Sequence, residues 1–163
     1  ADQLLGWLTS DEVSAIKWIS DEVDRGAFYM PLLNDNVQIT TQIIHSKSKV
    51  SPILNGDHFI FNVKIQLEYD ISEVSKLDYI VLDQKNIDKI EQSINNDIKL
   101  SCENTFYELR DKYNTDVYDF SDKVSNYYPK FWIANKEVWN QYFKRSDIVV
   151  DVEAKLRRIG LVK

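Results

Sequence analysis

The sequence is short of most residues that build recognisable chemistry. One cysteine among 163 residues rules out an internal disulfide and says nothing about redox compartment. Two histidines, His45 and His58, are too few for most zinc sites without a second cysteine. The four glycines, Gly6, Gly26, Gly56 and Gly160, are scattered, so no glycine-rich loop exists to cradle a phosphate. No serine stands in a nucleophile elbow. Apolar runs are only a few residues long, far short of the ~20 needed to cross a bilayer as a helix. Basic residues are outnumbered, and the net charge of −6 argues against a nucleic-acid partner and weakly against unaided binding to anionic lipid. Internal repeats and low-complexity segments are missing, and no signal peptide opens the chain. Ala1 is not a natural start, so a processed protein or an excised domain is expected.

What is present is an ordinary globular composition, 44% hydrophobic and 28% charged, on a chain long enough for one domain with a sizeable core. The dominant signal runs from residue 83 to 113. Ile87, Ile90, Ile94, Ile98, Cys102, Phe106, Leu109 and Tyr113 recur at steps of three or four, which places them on one face of a helix. Asp83 is positioned to cap its start. At 1.5 Å per residue the helix would span about 45 Å and needs a broad apolar surface beneath it. Lys89, Glu91, Asn95, Lys99, Glu103, Glu108 and Asp111 lie between the apolar positions and suit water. Cys102 falls on the stripe and is expected to be a small core residue rather than a reactive thiol.

Before this helix, Thr9 and Glu12 have capping-box spacing, and Val13, Ile16, Ile19 (or Trp18) and Val23 continue a helical face that Gly26 would end. From Ala27 the period changes to two. Residues 27–33 form a short strand whose Pro31 indicates an edge or a break, and Asn34, Asp35 and Asn36 form a turn. A second strand carries Val37, Ile39, Thr41 and Ile43 and reaches about Val50. Asn55-Gly56 is the strongest hairpin signal, and Phe59, Phe61, Val63, Ile65, Leu67 and Tyr69 then face one way along a third strand. A two-residue turn at Asn55-Gly56 would set Val50 opposite Phe61 and His45 opposite about Gln66. Val37, Ile39 and Thr41 are then out of phase with that pairing. A β-bulge near Ile43-Ile44 reconciles the two halves, because one extra residue flips the facing of all that follows.

Residues 71–82 are expected to connect the third strand to the long helix. After it, Asn114-Thr115-Asp116 breaks the helix and caps another with Val117, Phe120, Val124 and Tyr127. Pro129 suits the first turn of a further helix holding Phe131, Trp132, Val138, Trp139, Tyr142 and Phe143. Ile148, Val150, Val152, Ala154 and Leu156 then alternate with polar residues in a last strand ending near Gly160. The expected class is α+β: an antiparallel or mixed sheet of about four strands, with a long helix and several shorter helices packed on it. The neighbour of the last strand is left open.

Few candidates for chemistry emerge. The hairpin keeps His45 and His58 apart. The pairs Asp21/Glu22 and Asp88/Glu91 read as solvated helix faces, and Asp151/Glu153 as exposed strand residues able to pair with Lys or Arg across the sheet. The aromatic group Tyr127, Tyr128, Phe131, Trp132, Trp139, Tyr142 and Phe143 is the richest feature and, at helical spacing, reads as core before it reads as a ligand platform. No residue is assigned a catalytic, cofactor-binding or metal-binding role.

Several of these segments together carry a resemblance. The run from Asp116 to Phe120, then Tyr128-Pro129, Trp132, Trp139 and Phe143, the strand 148–156 and the closing Arg158-Ile159-Gly160 resemble the C-terminal domain of the Ger(x)C family. Leu8 with Glu12 and Trp18, the run from Ser46 to Val50 with Pro52, and the alternating strand 59–67 extend the resemblance over nearly the whole chain. The family often has glycines after the first aspartate, where this chain has Asp119 and Ser121. The resemblance implies a C subunit of a bacterial spore germinant receptor. Such a subunit is a lipoprotein with a lipid-modified cysteine and two further domains ahead of this one. It would sit on the outer face of the spore inner membrane beside polytopic A and B subunits, and it is not known as an enzyme. Membrane attachment would come only through that lipid anchor. On this view the domain is an interaction module for the A and B subunits or for a second copy of itself, with an exposed apolar patch expected among Tyr127, Tyr128, Phe131 and Trp132. Direct binding of a small nutrient or ion is the alternative and would need a concave pocket. A hydrolase is a more distant reading, requiring a carboxylate or histidine of strongly shifted pKa in a cleft.

Overall fold

A hairpin of two long strands, β3 (Val37–Asn55) and β4 (His58–Val74), forms the spine of the molecule. The computed structural model describes residues 6–29, 32–33, 37–75 and 83–160. Gly56 turns the hairpin with φ 62° and Asp57 follows at ordinary φ, the order a type II′ turn asks for. The turn residues are therefore Gly56-Asp57, one place later than expected, because glycine here serves the first central position. Asn55 pairs with His58, Val50 with Val63 and His45 with Glu68. The bulge is present: Ile43 pairs with Tyr69 and His45 with Glu68, leaving Ile44 as the extra residue. Val37, Ile39, Thr41 and Ile43 are buried before it and Val50 and Pro52 after it, which is the phase flip one inserted residue produces. A second irregularity makes Ser72 the extra residue of β4, and its hydroxyl donates to the Thr40 carbonyl at 3.0 Å.

The last strand, β5 (Asp147–Ile159), lies parallel to β4. Two-residue pieces, β1 (Phe28–Tyr29) and β2 (Leu32–Leu33), pair antiparallel with β3. The sheet is therefore mixed, in the order β1-β3-β4-β5 with β2 also on β3. The expected strand 27–33 is split in two, and β4 continues through residues 71–74 that were expected to be connector. The proposed edge role of Pro31, the turn at 34–36 and the rest of the connector lie outside the described residues.

Helices cover one face of this sheet. Helix α1 (Ser10–Ile19) begins with the expected capping box, Thr9 Oγ1 accepting from the Glu12 amide and Glu12 from the Thr9 amide. It stops at Ile19, well before Gly26. Asp21 adopts φ 61° and the Glu22 amide bonds back to the Lys17 carbonyl, a Schellman closure with aspartate in the usual glycine place. Tertiary contacts hold that stop: the Ser48 amide donates to Asp21 at 2.5 Å and the Ser48 hydroxyl to the Trp18 carbonyl at 2.6 Å. The buried face is Glu12, Ala15, Trp18 and Ile19, and Val13 is exposed. Helix α2 (Gln84–Tyr113) is the long helix, with Asp83 capping the Lys85 amide and Asn114 ending it at φ 48°. Its stripe from Ile90 through Leu109 is buried against the sheet, while Ile87 and Tyr113 are half-buried at its ends.

The polar flank of α2 does more than meet water. Glu91, Asn95, Glu103 and Tyr107 accept from the amides of Leu156 (3.0 Å), Ala154 (2.9 Å), Val150 (3.1 Å) and Ile148 (3.4 Å). Four helical residues advance about 6 Å and two strand residues about 6.6 Å, so the antiparallel pairing stays in step. Lys99 takes the intervening position, has no acceptor, and donates instead to the Val150 carbonyl at 2.8 Å. Helix α2 thus covers an edge strand that would otherwise offer unpaired amides to another chain. The free stretch of β3 is blocked at three of its outward positions. Its outward amides at Ser48 and Leu54 bond Asp21 and the Tyr128 hydroxyl, and Pro52, in the same phase, has none to offer. The uncovered sheet face is polar along its middle, with Lys47, Lys49, Lys64, Gln66 and Asp151 exposed, while Ile53 and Val149 are exposed on it nearer the hairpin turn.

Candidate interaction surface and cavity

After α2 the chain turns through Asp116 into α3 (Phe120–Tyr127), then α4 (Pro129–Asn135), a 3-10 turn (Lys136–Val138) and α5 (Trp139–Lys144). Asp116 fixes this segment. Its carboxylate accepts from the amides of Ser121 (2.7 Å) and Tyr118 (3.2 Å) and from the Trp139 indole N–H (3.2 Å). Burial raises its pKa above the ordinary carboxylate value, and the hydrogen bonds pull the other way. Asp119, where the resembled family often has glycine, sits at φ 54°, in the left-handed region glycine favours.

The aromatic residues pack chiefly on the hairpin end of the sheet. The Phe131 ring meets Phe59 edge-on at 5.0 Å, Phe120 stacks on Phe61 at 4.2 Å, and Trp132 meets Trp139 at 5.6 Å. Tyr128 touches the Phe59 ring while its hydroxyl takes the Leu54 amide. Tyr128, Phe131 and Trp132 are half-buried in this way, and only Tyr127 of the four candidates is exposed, at 50%. The structure adds Ile133, 74% exposed, and Val138, 39% exposed. Val138 was expected on the apolar face of one continuous helix. Three residues of 3-10 winding between α4 and α5 change the phase and turn it outward. Ile133 has no sequence signal of its own, since a single isoleucine among aromatics at helical spacing reads as core.

The other sequence candidates separate. His45 pairs with Glu68 in mid-hairpin, and His58 lies beside the turn, 3.3 Å from Asp57 and 3.7 Å from Asp147. Among the described residues no group of three or more His, Cys, Asp or Glu side chains could hold a metal ion. Asp21 is a helix stop rather than a solvated helix residue, and Glu91 belongs to the covered edge of β5. Asp88 accepts from Gln84 at 2.8 Å on a wet face, as expected. Glu153 accepts from Gln66 across the sheet at 3.1 Å and from Lys155 at 3.3 Å on its own strand. Cys102 is fully buried, and burial, with the Glu103 charge beside it, pushes its thiol up to about 12. A cavity of about 540 Å³ opens between α1, α2 and the loop leading into β1, a feature assembled from segments too distant in sequence to be read as a pattern.

The family model described as "Spore germination B3/ GerAC like, C-terminal" matches residues 1–160. Over 162 residues the chain is 22% identical to spore germination protein B3 of Bacillus subtilis (strain 168), covering 99% of this chain and 43% of that protein. Spore germination protein YndF of the same organism is 27% identical over 161 residues, covering 99% and 40%. A solved structure, the crystal structure of the GerBC protein, superposes with a TM-score of 0.81 at 20% identity, over 93% of this chain and 46% of that one. The chain therefore spans less than half the length of the relatives it matches, and the structural likeness establishes the fold.

Proposed function

The chain belongs to the spore germination B3/GerAC-like C-terminal family, and from that premise we propose that it is the C-terminal domain of a germinant receptor C subunit, acting as a non-enzymatic interaction module. The observation that carries this reading is the outward apolar set Tyr127, Ile133 and Val138. These residues stand on α3, α4 and the 3-10 turn, a segment anchored to the sheet by Asp116 and the Phe59 cluster, and they point apolar side chains outward. The partners proposed are the A and B membrane subunits, with a second copy of the domain as the competing occupant. Among the described residues no helix is long and apolar enough to cross a membrane. Attachment to the outer face of the spore inner membrane through a lipid anchor of the full-length subunit is part of this proposal.

The test is co-purification from spores carrying an affinity tag on the full-length C subunit. Ile133→Asp should cut recovery of the A and B subunits at least tenfold while the tagged protein remains folded and abundant. Recovery equal to that of the unsubstituted subunit would remove this surface from the docking interface.

A further inference from the structure

The cavity between α1 and α2 has the chemistry of a ligand site. Trp18, Ile43 and Ile98, with Val23 and Ala27, give it an apolar lining, and 540 Å³ lies in the range of small-molecule pockets. Its polar groups are of one dominant sign. Asp11 on α1, Asp24 on the following loop and Asp97 on α2 line it against a single cation, Lys17. Among the described residues the side chains of Asp11, Asp24 and Lys17 make no hydrogen bond or ion pair. Asp97 is held in place by the Tyr29 hydroxyl, which donates to it at 2.8 Å. The three carboxylates come from three separate segments and stand exposed at the mouth of an apolar lining, which makes its opening electronegative. A tryptophan in that lining adds an attractive surface for a cation.

We propose that this cavity binds a small organic cation, an ammonium group on an apolar body, with the ammonium between Asp24 and Asp97 and the body against Trp18, Val23 and Ala27. Lys17 disfavours a second positive charge on the same ligand and sets the class as a monocation. This site is separate from the α3–α5 surface, and it stands or falls independently of the docking proposed there.

The experiment is isothermal titration of the whole chain with 2-phenylethylammonium, with neutral 2-phenylethanol and anionic 3-phenylpropanoate as matched controls. The expected result is saturable binding of one equivalent of amine, about tenfold or more tighter than the alcohol, a difference of about 1.4 kcal/mol, and no binding of the anion. Asp24→Asn with Asp97→Asn should weaken the amine by about the same factor and leave the alcohol unchanged, since the side-chain amide oxygen introduced on α2 still accepts from the Tyr29 hydroxyl. Asp11→Asn with Asp24→Asn provides a second double variant that touches no core contact. Asp122→Asn, outside the cavity, should change nothing. Equal binding of amine and alcohol, amine binding that survives both double variants, or no saturable heat at millimolar amine would each overturn the assignment.

Discussion

Replacing Asp116 tests how the α3–α5 segment is held. Its carboxylate is the acceptor for the amides of Tyr118 and Ser121 and for the indole of Trp139, which is 7% exposed. Hydrogen bonds to a charged group contribute about 1.5–3 kcal/mol each when taken singly, and a donor left without a partner costs about 1–3 kcal/mol. Two terms reduce the sum for Asp116→Ala. The carboxylate's own desolvation is relieved, and water can reach a half-buried site. A net loss of about 2–4 kcal/mol follows, out of the roughly 5–15 kcal/mol that holds a domain of this size. The thermal midpoint should fall by about 4–16 °C. The side-chain amide of the Asp116→Asn variant keeps one acceptor oxygen, so that variant should lose about half as much. The pH dependence has a definite sign. A raised folded pKa means the folded chain keeps this proton where the unfolded chain has released it. The stability this adds is fully present below the unfolded value near 4 and is lost as pH rises through the folded value. The gap between the parent and Asp116→Asn should therefore narrow as pH rises from about 4. Urea unfolding followed by circular dichroism at several pH values reads all three effects. An Ala variant within about 0.5 kcal/mol of the parent would refute the assignment of Asp116 as the organising acceptor.

Further outcomes follow from the packing. Glu103→Ala removes the acceptor of the Val150 amide and the partner of Lys99 and should cost about 1–3 kcal/mol in urea unfolding. Glu91→Ala with Asn95→Ala uncovers the Leu156 and Ala154 amides on the β5 edge, and sedimentation should then show concentration-dependent association that the parent lacks. Cys102, buried with its thiol pushed up to about 12, should resist iodoacetamide at about pH 8 in the folded chain and react promptly in urea. Asp70 is bound bidentate by Arg157 at 3.0 and 3.1 Å, which lowers its pKa. Its contribution is present above the unfolded carboxylate pKa and lost as pH falls through the folded one. Asp70→Asn should therefore flatten the acid limb of a stability–pH profile below about pH 4.

The elements legible in the sequence were those whose cause is local. The α2 stripe, the Thr9–Glu12 capping box and the Asp83 cap each depend on residues within one or two turns, and each is where periodicity and capping chemistry put it. The bulge at Ile44 was readable because both halves of β3 carry a clear alternation and the two disagree in phase. The hairpin turn lies one residue later and the pairing two residues further along β4, with Val50 opposite Val63, because Gly56 is flanked by Asn55 and Asp57, so a type I′ turn on Asn-Gly and a type II′ turn on Gly-Asp are both available. Where α1 stops is decided by Asp21 and Ser48, which lie far apart in the chain, and no local signal overrides the better glycine at 26. The break between α4 and α5 turned Val138 outward for a similar reason. On the flank of α2, Lys89, Glu108 and Asp111 are exposed as expected, whereas Glu91, Asn95, Lys99 and Glu103 bond the β5 edge, because Glu, Asn and Lys look the same in sequence whether they face water or a strand edge. The cavity needed α1, α2 and the loop before β1 in one place, and only the tertiary fold supplies that.

The most direct test of the docking account is site-specific photo-cross-linking of the full-length subunit in spore membranes, with the photoreactive side chain at Ile133, at Tyr127, or at Asp151 on the open sheet face. The account predicts adducts to a membrane subunit from positions 133 and 127 and none from 151. Adducts from 151 alone, or from none of the three in spores that germinate normally, would contradict it.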